Sequence, residues 1–172
     1  MLNFRKEIIP ALIPYFERNN KLFLLYGDMG FGGIEKLEEK FPDRVLNAGI
    51  MEQGMVGIAA GMAISGMIPI VYTMCNFLCY RALEQIRNDV VLQNLNVKFI
   101  GTGANNYFAF LGKSHTCDED DLIILKTIGL KTYNPYQAGN HGGSWYNYPS
   151  ILTFTADFFE WINSDKTEYI RV

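Results

Sequence analysis

Between Glu52 and Arg81 the chain carries no charged residue, and what this run can become decides most of the fold. Its length suits a membrane span, for which roughly 20 apolar residues of helix are enough. Gly54, Gly57, Gly61, Gly66 and Pro69 interrupt it, however, and Pro69 opens a β-like run, Ile70-Val71-Tyr72. A helix of small residues over about 51–65, followed by a buried strand over 68–73, accounts for the whole stretch. No membrane segment is expected.

The flanks continue the alternation. An apolar-periodic helix with prolines at 10 and 14 covers about 3–18, and its prolines predict a kink or a late start. The continuous apolar run KLFLLY (21–26) is a buried strand ending in Gly27-Asp28. A short charged helix (IEKLEEKF) and a strand (RVLNAG, 44–49) precede the small-residue helix. After the 68–73 strand come a long helix (about 76–93), a strand (97–103) and a helix (119–128) whose acidic first turn suits the helix dipole. A strand (130–135), a loop from Tyr136 to Ser150, an amphipathic helix (151–163) and the strand YIRV complete the chain. Strands alternating with helices predict a three-layer α/β sandwich around a mostly parallel sheet of about six strands. Its 172 residues suit a single domain, 1–172. Ligands of such sheets gather at the carboxyl ends of the strands, so the loops starting at Gly27, Gly49, Thr73 and Gly101 are the ones to watch.

A net charge of -3, with Lys and Arg scattered, offers no footprint for nucleic acid or an anionic membrane. Three cysteines (Cys75, Cys79, Cys117) behind a charged opening segment predict free thiols in a reducing cytoplasm. Cys75 and Cys79 stand four apart, but without a nearby His pair they predict no metal site.

Two glycine-rich loops, GDMGFGG and GTGANN, lack the elements of a phosphate-binding fingerprint and read as turns. NAGIMEQG places Glu52 at the mouth of a helix directly after a strand. The Gly and Ala residues behind it would let a second helix or subunit approach closely, and a carboxyl in such an apolar seam would tend to stay protonated. TMCNFLCYRALEQIRND sets Phe77 and Tyr80 at the start of the next helix, again at a strand's carboxyl end. GKSHT puts His115 in a glycine-flanked loop. Taken singly, these residues read as a helix-dipole carboxylate, core aromatics and a solvated loop histidine.

Their order and spacing together resemble the pyrimidine-binding domain of transketolases and deoxyxylulose-phosphate synthases. The resemblance covers nearly the whole chain from Gly27, and its most specific part is Asn47 to Asp89. It implies thiamine diphosphate as cofactor, with Glu52 hydrogen-bonded to N1′ of the aminopyrimidine and giving it a proton. It further implies that Phe77 stacks on the pyrimidine, that Tyr80 and Met51 line it, and that Asp28 lies close by. His115 would face the sugar or sugar-phosphate substrate and move protons on its oxygens.

Two positions depart from the family pattern. Leu111 stands where relatives acting on phosphorylated sugars tend to carry an acid, and Ser114 replaces a threonine, which alters the expected contact to a substrate hydroxyl. The GDG…N motif that holds Mg²⁺ and the diphosphate is absent, and YIRV ends where a C-terminal domain would start. The resemblance therefore implies either one domain cut from a longer enzyme or a subunit of a split enzyme, completed by a diphosphate-binding subunit in a hetero-oligomer such as a heterotetramer and transferring a two-carbon ketol unit between sugars. The alternatives are a beta-type subunit of a 2-oxo-acid dehydrogenase or decarboxylase, and a degenerate module without activity.

Overall fold

A computed structural model of the chain describes residues 3–29, 33–137 and 150–172, together with the backbone of 139–141 and 144–146. Six parallel strands form one sheet in the order β2-β1-β3-β4-β8-β5. They are β1 (Leu22–Tyr26), β2 (Val45–Asn47), β3 (Ile68–Met74), β4 (Lys98–Thr102), β5 (Lys131–Tyr133) and β8 (Glu168–Arg171). β6 (Gly139–His141) and β7 (Ser144–Tyr146) make a separate antiparallel pair inside the stretch expected as a loop; the remaining residues of GNHGGSWYNYPS before Ser150 lie outside those described, as do residues 30–32 of GDMGFGG.

The central strands are sealed on both faces, as a parallel sheet between two helix layers requires. All five residues of β4 are buried, and so are six of the seven in β3. Because side chains alternate across a strand, neighbours join different cores. Ile70, Tyr72, Ile100 and Ile170 pack beneath α1 (Arg5–Arg18), α2 (Glu35–Lys40) and α6 (Ile151–Asn163). Val71, Phe99 and Tyr169 pack beneath α3 (Glu52–Ile64), the helical stretch 77–91 and α5 (Asp120–Thr127). Each fully buried large apolar side chain contributes roughly 1.5–3 kcal/mol.

Local chemistry sets the ends. α6 opens on a capping box in which Ser150 Oγ accepts from the Thr153 N–H and Thr153 Oγ1 from the Ser150 N–H. α1 runs through Pro10 and Pro14 while burying Ile8, Ile9, Leu12 and Phe16. Gly101 leaves room for its neighbour: a Cβ there would stand 2.1 Å from the Tyr169 hydroxyl.

The uncharged run behaves as expected in its first half, as α3 followed by β3, and no described helix is long and apolar enough to cross a membrane. The helix expected over 76–93 is different. It is broken at Ala82 into two stretches with wide, five-residue turns, Phe77–Arg81 and Ile86–Val91, around the single α-helical turn α4 (Leu83–Gln85). Wide turns of this kind are rare and concentrate where a helix must place particular side chains.

Candidate active site

The strand order reverses direction at β1, with β2 on one side and β3 on the other. In an open α/β sheet the crevice above such a switch point is where ligands bind. Backbone hydrogen bonds close this region. Gly27 N–H donates to Tyr72 O at 3.0 Å and Asp28 N–H to Gly49 O at 3.3 Å. A Cβ on Gly27 would meet Thr73 Oγ1 at 3.0 Å, so the β1 loop passes directly over the end of β3. After β2, Asn47 Oδ1 accepts from the Gly49 N–H, and Gly49 itself is left-handed (φ 73°). That turn delivers Glu52 to the first position of α3.

Glu52 is 2% exposed. Its Oε1 accepts from Thr73 Oγ1 at 3.3 Å, and its Oε2 lies 2.5 Å from Arg81 Nη1. The apolar seam expected around this carboxyl is thus corrected to a polar pocket. The residues behind Glu52 are small, but the one charge that ends the uncharged run folds back onto it. Arg81 also lies over the Phe77 ring, 4.3 Å from its centroid. The His115 and Phe77 rings meet in a T-shaped pair, 5.4 Å between centroids and 71° between planes. Asn76 Nδ2 donates to Ser114 O at 2.5 Å, tying the His115 loop to the start of the helix, and Ser114 Oγ lies 2.9 Å from His115 Nδ1.

One chain of contacts therefore runs from His115 through Phe77, Arg81 and Glu52 to Thr73 and the Gly27-Asp28 loop. Asp28 is exposed at the rim. Met51, 46% exposed, rests its thioether end over Gly54. Tyr80 lies outside this chain of contacts, because its exposed hydroxyl donates to Asp120. That bond raises the phenol's pKa above its ordinary value. Asn76 and Arg81 were not singled out from the sequence, and Thr73 was marked only as the start of a loop. Arg81 had a legible signal: it is the first charge after the uncharged run and stands four residues past Phe77, one helical turn on.

A second polar cluster supports the far side of the His115 loop. Asp121, expected as a dipole carboxylate, is instead wholly buried. It accepts from the Tyr169 hydroxyl at 2.5 Å and pairs with Arg171 Nε at 3.3 Å. Arg171, also wholly buried, donates through Nη2 to Asp118 O at 2.6 Å. Burial pushes the Asp121 carboxyl up to about 6 against the opposing field of Arg171. The three cysteines gather here as buried free thiols. Burial and then a hydrogen bond with Cys117 push Cys75 up, and a second hydrogen bond with Cys117 does the same for Cys79; these two bonds lower Cys117. Among the described residues no group of three or more His, Cys, Asp or Glu side chains is arranged to hold a metal ion.

Residues 1–148 match the family model described as transketolase, pyrimidine binding domain. The chain is 27% identical over 149 residues to the 6-deoxy-6-sulfo-D-fructose transketolase subunit of Clostridium sp. (strain MSTE9), covering 86% of this chain and 45% of that protein. It is 36% identical over 125 residues to the putative transketolase C-terminal section of Methanocaldococcus jannaschii, covering 72% of this chain and 39% of that one. Among solved structures, a split gene transketolase in an inactive beta4 tetramer superposes with a TM-score of 0.77 at 27% identity. The match covers 99% of this chain and 50% of that one. The chain thus spans less than half the length of these two curated relatives.

Proposed function

This chain belongs to the family of transketolase pyrimidine-binding domains, and from that premise we propose that residues 1–172 form one such domain acting as a subunit of a split, thiamine-diphosphate-dependent transketolase. The observation that carries the reading is Glu52: a carboxyl almost sealed from solvent at the sheet's switch point, linked through Arg81 to the Phe77 ring and through that ring to His115. The donor set fits an aminopyrimidine, which needs one carboxyl at a ring nitrogen and an apolar flat surface to lie against.

When bound, thiamine diphosphate supplies a carbon that adds to a ketose carbonyl and accepts the electron pair released on C–C cleavage. The chain's own residues do the rest. Glu52 holds the ring nitrogen and gives it a proton, and burial keeps water from competing for that hydrogen bond. Thr73, donating to Oε1, fixes the carboxyl plane. Phe77 offers the stacking surface, with Met51 at its margin and Asp28 at the rim, while Tyr80 is turned aside to Asp120. His115, steadied by Phe77 and by the Asn76–Ser114 bond, faces a sugar or sugar-phosphate and moves protons on its oxygens. The reading assigns Mg²⁺ and the diphosphate to a partner subunit in a hetero-oligomer, a heterotetramer in its simplest form. Three free buried thiols fit a cytoplasmic setting, and the sulfosugar named in one relative fits an anionic sugar as substrate.

Two experiments test this. By calorimetry, the chain alone is expected to bind thiamine diphosphate no better than about millimolar, with or without Mg²⁺, a weak affinity of about -4 kcal/mol. Micromolar binding without a partner would overturn the split-subunit reading. In the assembly reconstituted with its diphosphate-binding subunit, His115→Ala is expected to lower kcat by roughly 10²–10⁴-fold and leave cofactor affinity unchanged. A loss below tenfold would remove His115 from the chemistry.

A further inference from the structure

We propose that Arg81 occupies the pyrimidine position in the unliganded chain and must leave Glu52 before a pyrimidine can bind. The inference rests on the reading of Glu52 and Phe77 given above, and on what Arg81 does to both. Its Nη1 lies 2.5 Å from Glu52 Oε2, and its guanidinium carbon stands 4.3 Å from the centroid of the Phe77 ring. A guanidinium is flat and carries N–H donors along its edge, so it lies on an aromatic face and grips a carboxylate at once. These are the two contacts proposed for the aminopyrimidine. The Arg81 group therefore satisfies both halves of the site from within the chain.

The contacts exclude the ring chemically as well as sterically. With Thr73 on Oε1 and Arg81 on Oε2, the carboxyl faces donors on both oxygens, and a carboxylate accepting from a guanidinium has no proton to give a ring nitrogen. Exit is one-sided. The Arg81 side chain is 40% exposed and the Glu52 side chain 3%, so the cation can swing into water and the carboxyl cannot follow. Among the described residues, the hydrogen bond to Glu52 and the contact with Phe77 are what hold Arg81 in place. Breaking them frees the long side chain without disturbing a buried layer. Glu52, once released, is left as a sealed carboxyl with Thr73 on Oε1, and its Oε2 is open to a ring nitrogen.

The test uses the full chain and a probe needing no diphosphate subunit: 4-amino-5-hydroxymethyl-2-methylpyrimidine, the pyrimidine half of thiamine, titrated by NMR. Arg81→Ala and Arg81→Gln are each expected to bind the probe roughly two- to fivefold more tightly than the parent chain, the factor set by loss of one exposed cation–π contact. Equal or weaker binding by both variants, or no detectable binding by either, would overturn the proposal; circular dichroism establishes that each is folded. Adding Glu52→Gln or Phe77→Ala to Arg81→Ala separates the two claims. If the tightening survives both additions, the proposed cofactor contacts are wrong. If Arg81→Ala binds more weakly but still depends on Glu52, the contacts stand and Arg81 is a helper rather than an occupant.

Discussion

Glu52→Gln is expected to leave the fold intact and to lower turnover of the reconstituted assembly by about 10²–10⁴-fold, the worth of a positioned acid–base group. The side chains are nearly isosteric, and the amide keeps an acceptor for Thr73 Oγ1 or Arg81, the two neighbours of the native carboxyl. What it loses is a proton that can be transferred. Cofactor affinity should therefore change little while the chemical step fails. The direct measurement is hydrogen–deuterium exchange at the C2 position of bound thiamine diphosphate, in the assembly with its diphosphate-binding subunit. Exchange as fast as in the parent protein would show that Glu52 takes no part in activation, and the central claim about this site would fall.

Arg171→Met is expected to have the largest effect on stability. The guanidinium is wholly buried beside Asp121, and methionine fills much of its stem volume without a charge. Removing one partner of a buried pair leaves the other uncompensated, typically at about 3–5 kcal/mol. For a chain of this length that is a fall in Tm of roughly 10 °C. The penalty should depend on pH with a definite sign. Burial already pushes the Asp121 carboxyl up to about 6 from its ordinary 3.8, and losing Arg171 removes the opposing field. A group raised in the folded state contributes stability that is fully present below its unfolded value and is lost as pH rises through the folded one. The Arg171→Met penalty is therefore expected to shrink as pH falls from 7 toward 4. It should shrink at neutral pH too when Asp121→Asn is added. Thermal melts across that range are the check, and a penalty that stays flat with pH would mean Asp121 is not the group left exposed to the loss.

The same cluster shows why part of the site was not legible beforehand. Asp120 and Asp121 both sit in the first turn of α5, where an acid is commonly explained by the helix dipole. Nothing local distinguishes them. Only the pairing of β8 beside β4 brings Arg171 and Tyr169 beneath that turn, across 48 and more residues of chain. Arg81 has the same history. Its sequence position marked it as the end of an uncharged run, but its partner stands 29 residues away on another helix. The wide turn at Phe77–Arg81 also left no periodicity signal, because a shift from α to wider turns changes hydrogen-bond partners more than the pattern of apolar residues.

The sequence by itself determined the alternation of strands and helices, the parallel sheet, the placement of Glu52, Phe77 and His115 after strand ends, and the family resemblance. These follow from local periodicity, from turn residues such as Gly27 and Gly49, and from motif spacing, all of which short stretches of chain encode without reference to the rest. Only the tertiary structure decided what surrounds the carboxyl of Glu52, which of Phe77 and Tyr80 joins it, and which acid of α5 is buried. Those outcomes depend on contacts between segments far apart in the chain. A buried charge must find its partner wherever the packed strands happen to bring one.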